Sequence, residues 1–280
     1  MTATYLGPAL VAGLLQGIVE WLPVSSKTMI TLYFTVLGIK AQNAYDLGLI
    51  ANFGSFFAAL YYFRREAWAT VKSLAHPFAD TPYARLLRFL VVATLATGVV
   101  GIPLYVTVRH TFTLVGGSVA MLIIGALLLV TGMVARRKER LMQAPTAATE
   151  VKQPDGRAAL LAGALQGLAA LPGISRSGMT ITPLLWLGFP AEEAIRLSFM
   201  LDVLALVGAG VVPLVIGHGG QAAIAQLGLG TTLVMIGVAT VVSFVAIGTV
   251  LNLARRLRTS TATFAIAAIT LLFAGLAVVR

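Results

Sequence analysis

Two short polar runs interrupt an otherwise apolar chain: Pro23-Val24-Ser25-Ser26-Lys27-Thr28 and Pro172-Gly173-Ile174-Ser175-Arg176-Ser177-Gly178. Each mixes hydroxyls with a cation, and each is followed at once by an apolar stretch that reads as a short helix. A helix starting there turns its free backbone N–H groups and positive dipole end toward the polar run, which stabilises an anion. Ser25, Ser26, Thr28, Ser175 and Ser177 add hydroxyl donors, Lys27 adds a point charge, and Arg176 adds a planar fork that suits phosphate oxygens. Gln16 and Glu20 lie one helical turn apart just before the first run, so both project toward it from one face. A carboxylate in that place can hold a divalent cation against a phosphate or move a proton. The same residues admit plainer roles: N-caps for Ser and Thr, and mutual neutralisation for Glu20, Arg176 and Lys27.

Other polar groups are secondary. Asp46, Asn52 and Asp202 fall within apolar spans, where an acid is a site candidate by default, yet they are far in sequence from the acid and the two runs. His76, His110 and His218 fall in loops or at span ends, so a Ser-His pair or a histidine metal site has little support.

The elements that must position these residues belong to a bilayer. Hydrophobic residues make up 58% of the 280-residue chain and charged residues 11%, with a mean hydropathy of +0.92, against about 25% charged residues in soluble domains. The net charge of +10 does not imply nucleic acid, because the basic residues sit in short loops between apolar runs. With no cysteine, disulfides and thiolate chemistry are excluded. Met1 to Tyr5 carry no basic run, so the opening apolar stretch reads as part of the fold and not as a signal peptide.

The spacing predicts an all-α polytopic membrane protein with six spans, at about 46–63, 86–106, 114–135, 197–217, 228–251 and 262–279. Residues 158–171 and 179–189 are too short to span and read as a re-entrant hairpin around the second polar run; residues 5–39 read the same way around the first. Ala12-Gly13-Leu14-Leu15-Gln16-Gly17 matches Ala162-Gly163-Ala164-Leu165-Gln166-Gly167, and three spans follow each hairpin. The expectation is therefore two repeats, 1–140 and 158–280, joined by a cytoplasmic linker at 141–157. Because three spans reverse the chain, the second repeat is inverted. This parity puts fifteen of the twenty lysines and arginines on one face. The positive-inside rule makes that face cytoplasmic and both termini external, with the two polar runs meeting near mid-membrane.

Gln16-Gly-Ile-Val-Glu20-Trp-Leu-Pro-Val-Ser25-Ser26 and Leu171-Pro-Gly-Ile-Ser175-Arg176-Ser177-Gly178-Met-Thr180 resemble the undecaprenyl-diphosphate phosphatase family associated with bacitracin resistance, and the likeness covers the whole chain. The resemblance implies hydrolysis of a polyprenyl diphosphate to the monophosphate carrier lipid used in cell-envelope synthesis, with Mg²⁺ or Ca²⁺ as cofactor. It implies Ser26 as nucleophile or phosphate ligand, Arg176 as phosphate clamp, and Glu20 as metal ligand or proton carrier, with Gln16 beside it at the metal. Ser25, Lys27, Thr28, Ser175, Ser177, Gly178 and Thr180 complete the phosphate cradle. The chain departs from the family where it has Gln16 for Glu, Lys27-Thr28-Met29 for Thr-Gly-His, and Gly48 for an acid. Without that histidine, the base is Glu20, or water activated by the metal attacks directly. A transporter or flippase of polyprenyl phosphate, built on the same anion site, is the alternative. The expected setting is the plasma membrane of a prokaryote, with membrane lipids and a second copy of the chain, as a homodimer, as partners.

Overall fold

The computed structural model describes residues 5–21, 25–115, 117–143, 153–216, 219–254 and 259–279. Among them there is no strand. The first polar run begins outside this set, at residues 23–24, and most of the linker, 144–152, also lies outside it, as does His218.

The first hairpin is α1 (Leu6–Val19) and α2 (Ser26–Val36), followed by α3 (Ala41–Ile50), α4 (Asn52–Tyr62) and α5 (Arg64–Lys72). Two long helices follow, α6 (Pro82–Leu114) and α7 (Gly117–Gln143). The second hairpin is α8 (Gly156–Gly167) and α9 (Arg176–Trp186), and then come α10 (Ala191–Val215), α11 (Gly219–Leu227), α12 (Leu229–Ala254) and α13 (Thr259–Val279). Of these, α6, α7, α10 and α12 are long and apolar enough to cross a membrane.

The expected span at 46–63 needs correction. It is two helices meeting at Ala51, with the side-chain Nδ2 of Asn52 donating to the Leu49 carbonyl at 2.9 Å. The expected sixth span, at about 262–279, falls on α13, a helix of 21 residues. The helix α11 was not expected, because its few apolar residues lie in a segment that reads as a loop between spans. The basic helix α5 exposes Trp68, and Leu74 and Phe78 are exposed just after it, the composition of an interfacial segment.

Local signals explain the hairpin boundaries. Asp155 Oδ1 accepts from Ala158 N at 2.7 Å to start α8. Both α2 and α9 stop on the same C-terminal motif. Gly38 (φ 85°) and Gly188 (φ 84°) take the left-handed conformation that favours glycine. The next residues, Ile39 and Phe189, then donate back to Phe34 and Leu184, each at 3.0 Å.

The halves also exchange packing. The first helix of each hairpin lies on a long helix of the other half, α1 on α12 and α8 on α6. Glycines make the approach close: a Cβ on Gly17 would sit 2.6 Å from Val242 Cβ, and one on Gly167 2.6 Å from Val100 Cβ. Where lipid is as apolar as the side chains, such small-residue contacts carry helix association.

Candidate active site

Glu20 caps α1 at its C-terminal end, its N–H bonded to the Gln16 carbonyl at 3.1 Å, so the two side chains emerge one turn apart. Gln16 Nε2 lies 2.8 Å from Glu20 Oε2, 3.2 Å from Asn52 Oδ1 and 3.1 Å from Ser55 Oγ. The amide thus ties the carboxylate to the α3–α4 break. Ser26, the first residue of α2, donates its hydroxyl to the same Glu20 Oε2. From the other hairpin, Arg176 donates Nη2 to Glu20 Oε1 and places Nε 3.0 Å from Asp202 Oδ1 on α10. Arg176 Nε and Asp202 Oδ1 form an ion pair without hydrogen-bond alignment. Glu20, Ser26 and Arg176 therefore converge, from residues far apart in the chain.

Lys27 is buried beside them. Its Nζ donates to the Ile174 carbonyl at 3.1 Å and lies 3.5 Å from Ser25 Oγ, so a cation from the first tip rests on the backbone of the second. Thr28 Oγ1 donates to Ser25 Oγ at 2.7 Å and accepts from Gly173 N at 2.6 Å. The second tip is held from α7 as well, where Thr131 donates to the Gly173 carbonyl and accepts from Ser175 N at 3.2 Å. Gly173 has φ +99°, and a Cβ there would stand 2.7 Å from Leu127 Cβ, so this turn requires glycine twice over.

These groups face a cavity of about 250 Å³. Glu20, Ser25, Ser26, Lys27, Asn52, Ser175, Arg176, Ser177 and Asp202 form one polar side of its lining; the remainder comes largely from α6, α8 and α10. Gln16, Thr28, Gly178 and Thr180 are not in the lining. They brace it: Gly178 N is capped by Ser175 Oγ at 3.4 Å, and Thr180 Oγ1 pairs with Ser198 Oγ at 2.5 Å. The lining's two carboxylates, Glu20 and Asp202, balance its two cations, Lys27 and Arg176. A diphosphate entering it would bring negative charge with no cation of the described lining left over to match it.

Asp202 and Asn52 lie far in sequence from the polar runs, and the fold brings both to the site. Asp46 belongs to a different cluster, in which Tyr105 donates to its Oδ1 at 2.9 Å and Arg109 Nε to its Oδ2 at 3.0 Å. The departure at Gly48 has a steric reason: a Cβ there would lie 2.6 Å from the Lys27 carbonyl oxygen. With α3 packed so closely on α2, no longer side chain fits. Thr94, Thr97 and Gln166 line the cavity too. Gln166 was legible as the repeat counterpart of Gln16; nothing set the two threonines apart from others in the spans.

The chain resembles known proteins over most of its length. The model of the family described as bacitracin resistance protein BacA matches residues 9–274. The chain is 37% identical over 253 residues to a protein of Saccharolobus solfataricus named undecaprenyl-diphosphatase, covering 90% of this chain and 89% of the relative. Proteins of the same name resemble it in Methanopyrus kandleri, at 36% identity with 95% of both chains covered, and in Haloarcula marismortui, at 39% with 75% and 78% covered. With the family's match running from the first hairpin to the last helix, the chain belongs to the bacitracin resistance protein BacA family.

Proposed function

We propose that this protein is a multi-pass membrane hydrolase that removes the terminal phosphate of undecaprenyl diphosphate, leaving the monophosphate carrier lipid and inorganic phosphate. The observation that carries the reading is the chain of contacts from Ser26 Oγ through Glu20 to Arg176. A serine hydroxyl already hydrogen-bonded to a carboxylate is set for nucleophilic attack, with the carboxylate as base. Ser26 Oγ would attack the terminal phosphorus as Glu20 takes its proton. The bridging P–O bond breaks and the lipid monophosphate leaves; water then cleaves the phosphoserine, releasing inorganic phosphate and restoring Ser26. Arg176 binds the two acids through Nη2 and Nε, which leaves its Nη1 edge for a phosphate oxygen. Arg176 and Lys27 together oppose the charge that builds on the transferring group. Glu20 fills the part of the absent histidine, since Met29 has no titratable atom.

A divalent cation, Mg²⁺ or Ca²⁺, fits the same end of the cavity. Gln16 Oε1 is buried without a partner, and Glu20 and Ser26 offer oxygens beside it. Among the described residues no three acids or histidines cluster, so substrate oxygens would complete the coordination. When bound, the ion would supply the positive charge that the balanced lining lacks.

Orientation follows from charge and cavity together. Arg85, Arg88 and Arg196 mark the N-terminal ends of α6 and α10, whereas the lining runs from Thr94 to Tyr105, midway along α6, and from Asp202 to Val212, in the C-terminal half of α10. Substrate would thus enter from the face opposite the basic one, the outer face of a prokaryotic plasma membrane, with both termini outside. The exchanged packing of α1 and α8, and their matched C-terminal motifs, support two inverted repeats. The transporter alternative has less support, because the relatives bear a hydrolase name and the serine has its base.

The test is phosphate release by purified protein from undecaprenyl diphosphate, with and without Mg²⁺ or Ca²⁺. The expected result is metal-stimulated release that Arg176→Ala abolishes. Release no greater than that of Arg176→Ala would sink the enzyme reading.

A further inference from the structure

The cavity has a second polar wall that the chemistry above leaves unused. Thr94 and Thr97 of α6 and Gln166 of α8 line it. Gln166 is 2% exposed and donates Nε2 to Thr97 Oγ1 at 3.0 Å. Thr97 Oγ1 lies 2.8 and 3.0 Å from the Ala93 and Gly163 carbonyls, so it is fixed between the two helices. Two atoms are left over: Gln166 Oε1 and Thr94 Oγ1 are buried with no hydrogen-bond partner. Native interiors rarely leave such groups unmatched, and a ligand is one way to match them. The wall carries no charge.

We propose that Thr94 and Gln166 form the subsite for the phosphate that stays on the lipid, while Ser26, Lys27 and Arg176 hold the terminal phosphate. The proposal rests on the diphosphatase reading and deepens it. A diphosphate presents two groups with different fates. The terminal phosphorus gathers charge in the reaction and belongs among cations; the retained phosphate must be positioned and then released. Neutral donors do the second task, because they bind an anion less tightly than a charge-assisted pair does. Thr94 donates its hydroxyl, and Gln166 donates Nε2 with its amide turned so that Oε1 accepts the single Thr97 hydroxyl proton, which leaves the Ala93 and Gly163 carbonyls when the ligand binds. Further along α6 the lining changes to Gly98 and Gly101, joined by Gly208 of α10. A Cβ on Gly208 would meet nothing within 4 Å, leaving room for the first prenyl units. Beside them Ile102 and Leu204 are 40% and 39% exposed, where lipid would be. The two glutamines of the repeat thereby divide the headgroup: Gln16 serves the acid at the terminal phosphate, and Gln166 the phosphate that remains.

Product inhibition tests this. Phosphate release from undecaprenyl diphosphate is measured for wild type, Gln166→Leu and Thr94→Val, with undecaprenyl monophosphate or inorganic phosphate as competing product. The expected result is that the inhibition constant of the monophosphate, and the KM of the diphosphate, rise about tenfold in each variant, while that of inorganic phosphate stays at the wild-type value. Unchanged monophosphate inhibition, or equal weakening of both products, overturns the proposal. Inorganic phosphate inhibition reports a folded terminal subsite in the same assay; should Gln166→Leu not fold, Thr94→Val, which removes one hydroxyl, carries the test alone. A wild type that releases no phosphate would defeat the underlying reading, whereas wild-type turnover with unaltered inhibition in the variants defeats only the subsite.

Discussion

At the second hairpin tip Ser175 turns its hydroxyl to its own helix, accepting from Gly178 N, whereas at the first tip Ser25 makes no such cap. Ser25 Oγ instead faces Thr28 and Lys27. The second tip is ordered from within and from α7, with Gly173 forming a turn that only glycine fits. The first is ordered by what it reaches across to: Ser26 to Glu20, Lys27 to the Ile174 carbonyl, Thr28 to Gly173 N. The difference separates a scaffold from a working part. A clamp that holds phosphate by Arg176 gains from a rigid frame, while a nucleophile and its base must respond to substrate.

Four experiments probe the contrast between the two tips. The largest effect is expected from Arg176→Ala, a fall of about 10³-fold in kcat/KM for phosphate release; Arg176→Lys recovers little of it, because the planar fork is lost. A loss under about tenfold would deny the second tip its clamp. Next come Ser26→Ala and Glu20→Gln, each lowering kcat by about 10²-fold or more, with the double variant no worse than the poorer single one because nucleophile and base act as a unit. Additive losses would mean that they act separately. Third, Gly173→Ala is expected to cost about 1–3 kcal/mol of stability in detergent unfolding, a measure of how far the second tip depends on its strained turn. The smallest effect is that of the caps: Ser175→Ala costs about 1 kcal/mol, and Ser25→Ala, with no cap to lose, leaves the unfolding midpoint nearer that of wild type. Equal shifts would erase the distinction between the tips.

Much of this was legible before the fold. Polar runs in an apolar chain stand out because membrane depth tolerates them only around a cavity or within protein, which is why Ser25, Ser26, Lys27, Ser175, Arg176 and Ser177 could be singled out. The hairpins were legible from arm length. Asp202 was underrated because sequence distance says nothing about distance across two packed halves, and only the fold sets it beside Arg176. The break at Ala51 was hidden, since neither glycine nor proline marks it; a side chain, Asn52, takes up the backbone carbonyl there. Gly48 read as a missing acid, and it proved to be a point of contact between α3 and α2.

The crossing of α1 onto α12 and of α8 onto α6 also sets an order of assembly. During synthesis the first hairpin emerges at once, but the surface that Gly13 and Gly17 need is formed by Met235, Val238 and Val242, more than two hundred residues later. The second hairpin finds α6 already made. One hairpin therefore docks as it is inserted, while the other waits at the membrane for almost the whole chain. The seat of α1 on α12 can be completed only once residues 229–254 have been made, so the helix that carries Glu20 takes its final support among the last segments of the chain.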